Sequence, residues 1–205
     1  MRLYSYVVAY DIGFAPNPFY GYCTLATCKQ DIRRVAQVGD WVLGTGSKVA
    51  NLGDRLVYAM QVEEVLGFEQ YWNDERFARK RPKLRGSTKQ QYGDNIYHRA
   101  PDGVWLQENS RHSFGDGSPN PGHVQRDTKA DAVLISRQFV YYGSQGPVLP
   151  DRFRTGYGMD LVHGAPSYRC RFPEDMRDAV IDWVVNDLDT GLQGDPLDWE
   201  KLIGS

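Results

Sequence analysis

The chain has 205 residues, a length that suits one domain with a single hydrophobic core. Its 24 Lys and Arg residues against 26 Asp and Glu residues leave a net charge of -2, which excludes a general electrostatic attraction for nucleic acid. No apolar run reaches the roughly 18 residues of a membrane span, and the first residues lead into a strand without a secretory leader. We therefore expect a cytoplasmic protein with no membrane contact.

The predicted elements of the first third are mostly strands. A β-branched and aromatic run over 3–10 predicts a strand buried on both faces, and two prolines among aromatic residues over 14–21 predict a rigid surface loop. The next elements, in chain order, are a strand over 22–28, a brief helix over 31–37, and strands over 41–44 and 56–65. The last of these alternates apolar and polar residues, which predicts a half-buried strand.

The middle of the chain is predicted to be rich in loops. A hairpin is expected over 95–107, and residues 108–131, with five glycines and prolines, are expected to stay irregular. A further strand or a strand pair is predicted over 132–136 and 139–142. An amphipathic helix is predicted over about 173–190, because a proline opens it and apolar residues recur at helical spacing.

Several short motifs carry a family resemblance. The helix with Ile-Arg-Arg at 32–34, followed by Val-Gly-Asp-Trp at 38–41, resembles the front half of the PUA-like superfamily and of its EVE domains. Phe-Ala-Pro-Asn-Pro-Phe at 14–19 and the cysteine-bearing run at 23–29 resemble, together with that step, the second of the nucleotide-modification-associated domain families. The segments 93–97 and 136–143 look like later motifs of the same family.

This resemblance implies a fold and a field of activity. The implied fold class is α+β: a PUA-like (EVE-like) mixed β-barrel with short flanking helices, long loops and the C-terminal amphipathic helix packed on the barrel. It would be one domain over 1–205. The family is known chiefly from bacterial and phage gene neighbourhoods concerned with altered DNA bases, which implies an association with DNA base modification or phage defence.

The first fifty residues contain the side chains that a base-binding pocket needs. A nucleobase stacks on aromatic rings, and its edge is read by fixed polar groups. The predicted base-binding residues are Tyr10, Asp11, Phe14, Asn17, Phe19, Trp41, Thr45 and Ser47. The resemblance favours Asp11, Asn17, Trp41 and Ser47 among them, whereas core packing for the aromatics and a turn cap for Asp11 are the alternatives.

One basic segment could hold phosphates. Residues 79–89 contain six basic residues and no acidic one. The predicted phosphate-binding residues are Arg79, Lys80, Arg81, Lys83 and Arg85. A solvated basic loop is the alternative interpretation.

No catalytic set emerges from sequence alone. The candidates are Asp11, Cys23, Asp160 and His163, and nothing in the sequence places a histidine beside a cysteine to activate it. Three cysteines do not suggest a disulfide framework, and the spacing of Cys23 and Cys28 does not match a metal site. The Gly-Thr-Gly-Ser-Lys run at 44–48 lacks P-loop spacing. No metal and no cofactor are expected.

Three functions therefore remain open. The first is recognition of a modified nucleobase or nucleotide in an aromatic barrel pocket, with a nucleic acid or nucleotide carrying that base as the partner. The second is an enzyme that installs or alters such a base, and the third is an interaction subunit of a modification complex. The oligomeric state is not determined by the sequence.

Overall fold

A computed structural model describes residues 1–199 and shows a mixed α+β protein, which confirms the predicted class. Its strands are β1 (Leu3–Val8), β2 (Cys23–Leu25), β3 (Trp41–Gly46), β4 (Leu56–Gln61), β5 (Glu64–Leu66), β6 (Tyr97–Arg99), β7 (Trp105–Gln107), β8 (Val133–Ser136), β9 (Phe139–Tyr141) and β10 (Gly191–Leu192). Its α-helices are α1 (Gln30–Arg33), α2 (Phe68–Asn73), α3 (Thr88–Gln91), α4 (Pro121–Asp127) and α5 (Glu174–Asn186).

The described chain forms two compact units, each with its own core. The first unit contains Met1–Asp11, Ala36–Glu63 and residues 136–199. The second unit contains Ile12–Val35 and Glu64–Ile135. The single domain over 1–205 stays a prediction.

A five-stranded sheet in the order β1-β3-β4-β9-β10 is the main sheet of the first unit. β1 and β3 run parallel, with Leu3 opposite Trp41, and β4 is antiparallel to both of its neighbours. β4 is buried on both faces from Leu56 to Met60, which corrects the half-buried strand that its alternating pattern predicts. The reason is its central position, where both faces of the sheet are covered.

Two glycines let neighbouring groups approach β3 closely. A Cβ atom on Gly46 would collide with the carbonyl group of Leu52, and one on Gly44 would collide with the ring of Tyr58. Because glycine has no Cβ atom, both collisions are avoided. Strand β3 can therefore continue to Gly46, two residues past its predicted end.

Helix α5 provides the other half of the first unit's core. Its buried residues Met176, Val180, Trp183 and Val184 join a cluster with residues of β1, β3, β4 and β9. The acidic residues Glu174 and Asp175 lie in the first turn, where the positive end of the helix dipole favours them. The helix is observed inside the predicted range 173–190.

The second unit is built on a three-stranded sheet in the order β2-β8-β5 and on the hairpin of β6 and β7. The hairpin confirms the prediction over 95–107. Helix α4, in contrast, lies inside the segment 108–131 that was expected to be irregular. Asn120 caps it by accepting hydrogen bonds from the backbone N–H groups of Gly122 and His123, and Pro121 occupies its first turn.

The sheets formed by residues 1–199 are open: none of them closes on itself, so a barrel is not shown. None of the helices described is both long enough and apolar enough to cross a bilayer.

The packing of α5 predicts a difference between two neighbouring valines. Val184 is 3% exposed in the core, whereas Val185 is 42% exposed. Val184→Ala should lower the free energy of unfolding by about 2 kcal/mol because two buried methyl groups are lost. Val185→Ala should change it by less than about 0.5 kcal/mol. Urea denaturation measures both values, and equal losses would contradict the packing of this helix face.

Candidate active site

Cys28 lies on a sharp turn between β2 and α1. Cys28 and Lys29 both have backbone conformations in the left-handed region, with φ values of 56° and 39°. Residues other than glycine rarely adopt this region, and such strained positions cluster at functional sites. The turn leaves Cys28 partly exposed, although Ala26 and Thr27 before it are fully buried. A strained strand-to-helix turn is one way in which proteins present a nucleophile.

His112 connects this thiol to a carboxylate. Its Nε2 lies 3.5 Å from Cys28 Sγ, and its Nδ1 lies 2.8 Å from Asp127 Oδ2. His112 is 7% exposed, and its ring packs edge-on against Phe14 with 4.8 Å between the centroids. The arrangement of thiol, imidazole and carboxylate is that of an activated cysteine nucleophile with an oriented base.

Asp127, the last residue of α4, is held by several donors. Its Oδ2 accepts a hydrogen bond of 2.9 Å from the hydroxyl of Tyr97, and its Oδ1 accepts one of 3.2 Å from the backbone N–H of Cys28. The Tyr97 oxygen in turn accepts from Gln107 Nε2 at 3.2 Å. These bonds fix the carboxylate, and through it the orientation of the His112 ring.

The charges of His112 and Asp127 follow from the contacts of these two side chains. Burial disfavours the imidazolium form of His112, but hydrogen bonds with Asp127 and Cys28 outweigh it and raise the pKa of His112 to about 9. Burial alone would raise the pKa of Asp127, yet the hydrogen bond and charge of His112, with the charge of Arg33, lower it below its usual value. At neutral pH, therefore, a protonated imidazole lies between an ionised carboxylate and the sulfur atom of Cys28.

Arg33 ties the cysteine turn to the end of α4. It is 1% exposed, and its guanidinium makes four hydrogen bonds to backbone carbonyls. Nε donates to Cys28 at 2.8 Å, and Nη2 donates to Asp127 at 2.7 Å. Nη1 donates to Ala130 and Ala132 at 2.8 and 2.7 Å. One buried side chain thus positions the backbone of both the thiol and the carboxylate residue.

A metal ion is the alternative occupant of this cluster. Possible ligand atoms of His112, His123 and Asp127 all lie within 4.8 Å of one another. Both oxygens of Asp127 already accept hydrogen bonds, however, and the guanidinium of Arg126 is 3.7 Å from one of them and contacts Nδ1 of His123. A positively charged neighbour and engaged oxygens disfavour a cation, so the chemistry of the donors fits proton transfer better.

The predicted base-binding residue Asp11 is engaged within the first unit. Its Oδ1 accepts a hydrogen bond of 2.5 Å from the hydroxyl of Tyr141, and its Oδ2 accepts one of 3.2 Å from the N–H of Leu197. Its own N–H donates to the carboxylate of Asp198 at 2.8 Å. Asp11 therefore anchors the segment at 197–198, and its role in reading a base stays a prediction.

The other predicted base-binding residues of the first unit differ in exposure. Tyr10 is 74% exposed, whereas Trp41 is 3% exposed in the core packed against α5. The hydroxyl of Thr45 donates to a backbone carbonyl, and that of Ser47 accepts from the N–H of Val49. Their joint role in a base pocket stays a prediction.

Phe14, Asn17 and Phe19, in the second unit, are all buried. Phe14 packs on His112, as described above. Asn17 Oδ1 accepts a hydrogen bond of 2.6 Å from the ammonium group of Lys80, and its Nδ2 donates to the carbonyl of Tyr92 at 3.1 Å. These contacts make Asn17 part of the interior that stabilises the loop around it.

The predicted phosphate-binding residues also differ in position. Lys80 is fully buried, and burial lowers its pKa to about 8, so the structure does not place it where a surface phosphate could reach it. Arg79 lies over the ring of Tyr20 at 4.3 Å, and Arg81 lies over the ring of Trp72 at 4.2 Å. The remaining two residues of the set, Lys83 and Arg85, are exposed.

The sequence-predicted catalytic candidates do not form the site. Cys23 is fully buried, and Asp160 accepts two hydrogen bonds from Arg154 at 2.7 and 3.1 Å. His163 is half-buried, and its role stays a prediction. Sequence reasoning missed His112 and Asp127, because 84 positions separate Cys28 from His112 and no local motif joins them.

Comparison with known proteins gives one positive result. The family model described as "Nucleotide modification associated domain 2" matches residues 1–202. No curated protein and no solved structure matches the chain.

The bonds of Arg33 predict a large loss of stability when its charge is removed. Arg33→Met keeps most of the volume but leaves four buried carbonyls without their donor, so the free energy of unfolding should fall by about 3–5 kcal/mol. Arg34→Met is the matched control, since the Arg34 side chain is 65% exposed and should cost less than about 1 kcal/mol. Denaturation at pH 7 that finds similar losses for both variants would contradict the role of Arg33.

The pKa of His112 predicts the pH dependence of stability. It is about 9 in the folded protein against 6.5 for an unperturbed histidine, so the folded state binds this proton more tightly. The stabilisation is complete below about pH 6.5 and is lost as the pH rises through 9. The difference in unfolding free energy between the native protein and His112→Asn should therefore shrink by about 3 kcal/mol between pH 6 and pH 10. A constant or growing difference would refute the assigned protonation.

Proposed function

The chain belongs to the nucleotide modification associated domain 2 family, which links it to nucleotide modification; from this premise we propose that it is an enzyme that acts on a nucleobase or nucleotide through a covalent bond to Cys28. The proposal selects the second of the three functions that the sequence leaves open. Its substrate is a nucleotide or a nucleic acid that carries the base to be altered.

One observation carries this proposal: Cys28 Sγ, the His112 ring and the Asp127 carboxylate lie in one hydrogen-bonded line, with contacts of 3.5 and 2.8 Å. Cys28 is the nucleophile of this arrangement, and it is partly exposed. His112 is the proton donor and acceptor, while Asp127 is a positioning residue that keeps the ring aligned and its charge balanced.

The chemistry that this geometry supports has two steps. The Cys28 sulfur attacks as the thiolate whose proton His112 holds. It forms a bond to an electrophilic carbon of the substrate, and the electron pair of the broken bond departs with the leaving group, which takes the proton from His112 Nε2. Water then attacks the same carbon, the S–C electron pair returns to sulfur, and His112 accepts the proton of the water. The net reaction is hydrolysis, and an amine or hydroxyl acceptor in place of water would make it a group transfer.

Recognition of a modified base without chemistry is the second candidate function. The basic segment 79–89 favours it, because Arg79, Lys83 and Arg85 are exposed and could contact phosphates. The PUA-like placement and a role in phage defence belong to this proposal as well, and they rest on the resemblance of the motifs. The cytoplasmic location is a further part of it and rests on the sequence pattern alone.

Mass spectrometry distinguishes the proposed enzyme from a reader, that is, a protein that recognises a modified base without altering it. The protein is incubated with a panel of nucleotides and of DNA with modified bases, quenched in acid and digested, and products and cysteine adducts are measured. We expect a product and an adduct on Cys28, and we expect Cys28→Ser to lose both. A product formed equally by Cys28→Ser contradicts the proposal, and binding without any mass change across the panel favours the reader.

Alkylation with iodoacetamide gives a second measurement that needs no substrate. Cys28 should react faster than Cys170, which is also partly buried, and His112→Asn should slow Cys28 by about tenfold or more while Cys170 keeps its rate. Cys170→Ser is the matched control in the product assay and should retain the native rate. Equal alkylation of Cys28 in the native protein and His112→Asn would show that the histidine does not activate the thiol.

A further inference from the structure

An open cleft lies along helix α4 in the second unit. Its volume is about 510 Å³, within the roughly 300–1,000 Å³ of small-ligand sites. The residues that line it are Trp105, Pro119, Pro121, Val124, Gln125, Thr128 and Lys129. None of the functions assigned above uses these residues.

The walls of the cleft are flat and apolar. The indole of Trp105 and the rings of Pro119 and Pro121 form them, and the Trp105 ring is held in place by two neighbours. Phe68 meets it edge-on at 5.7 Å, and the guanidinium of Arg99 lies 3.8 Å from its centroid. A fixed aromatic ring beside proline rings is a surface on which a planar heterocycle stacks.

The polar groups of the cleft match an anion. Lys129 supplies an ammonium group, and no acidic residue is among the lining residues. Gln125, which is exposed, adds an amide that can donate and accept at the edge of a ring. The hydroxyl of Thr128 donates to the carbonyl of Val124 at 2.7 Å, so its oxygen remains an acceptor.

One short helix carries both this cleft and the site around Cys28. Val124 and Thr128, one turn apart, line the cleft, and Asp127, the neighbour of Thr128, holds His112. A ligand in the cleft therefore lies against the helix that positions the catalytic imidazole. The chain has a net charge of -2 and the cleft has one lysine, which suits one phosphate group better than a polyanionic duplex.

We infer that the cleft binds a single nucleoside 5′-monophosphate, with its base stacked on Trp105 and its phosphate on Lys129. This inference goes beyond the proposed function, because Cys28, His112 and Asp127 are not among the residues that line the cleft.

Calorimetric titration of Cys28→Ser, which cannot form the covalent bond, tests the inference. The probes are the four 2′-deoxynucleoside 5′-monophosphates, the corresponding nucleosides, inorganic phosphate and a DNA duplex. We expect at least one monophosphate to bind more tightly than its nucleoside and than phosphate alone. Trp105→Ala in this background should weaken it by about tenfold or more, and Lys129→Gln should weaken it by at least about threefold without affecting the nucleoside.

Two variants keep the test independent of folding. Lys129→Gln changes a side chain at the cleft surface, and Lys48→Gln, an exposed lysine of the first unit, is its matched control and should leave the affinity unchanged. If Trp105→Ala and Lys129→Gln both bind the monophosphate as tightly as the Cys28→Ser parent does, the inference is overturned. A DNA duplex that binds more tightly than every monophosphate would also overturn it. If the cleft binds a nucleotide but no product forms with Cys28 intact, the inference stands and the proposed enzyme activity fails.

Discussion

The buried guanidinium of Arg33 is the contact on which the candidate active site depends. A charge removed from water is stable only when its donors are satisfied, and here backbone carbonyls of residues 28, 127, 130 and 132 satisfy them. Those carbonyls belong to the cysteine turn, to the end of α4 and to the chain that leads into β8. By collecting them, Arg33 brings Cys28 and Asp127 to the two sides of His112, and the rest of the second unit packs around that arrangement.

The same physical rule explains why the basic and acidic residues of this chain have unequal roles. Lys80, buried on acceptors from Asn17 and Tyr22, stabilises the loop around residues 14–22, whereas exposed Lys83 is free to meet a ligand. Asp127 is ionised although buried, because an imidazolium and two further donors face it. Charge type alone did not distinguish these roles, since burial and hydrogen-bond partners determine them.

Local chemistry could be predicted from the sequence wherever a short range of residues decides the structure. The hairpin around 101–103, the helix α5 with Pro173 before it, and the strands β1, β3, β4 and β9 of the main sheet follow from turn residues, capping and apolar periodicity. The short strand β10 was not predicted. Helix α4 was missed although Asn120 and Pro121 form a start signal, because glycine and proline around it suggested a loop. The closed barrel was expected from resemblance, and residues 1–199 show open sheets instead. The alignment of Cys28 with His112 is a long-range contact, which no local pattern encodes.

The candidate active site depends on one feature: His112 is a protonated link between Cys28 and Asp127. Nitrogen NMR of histidine-labelled protein tests it directly, since the shifts of Nδ1 and Nε2 report whether each nitrogen carries a proton. We expect the His112 ring to be doubly protonated at pH 7, to titrate near pH 9, and to titrate at a lower pH in Asp127→Asn. A neutral ring at pH 7 that titrates near 6.5 in both proteins would contradict the protonated link between Cys28 and Asp127.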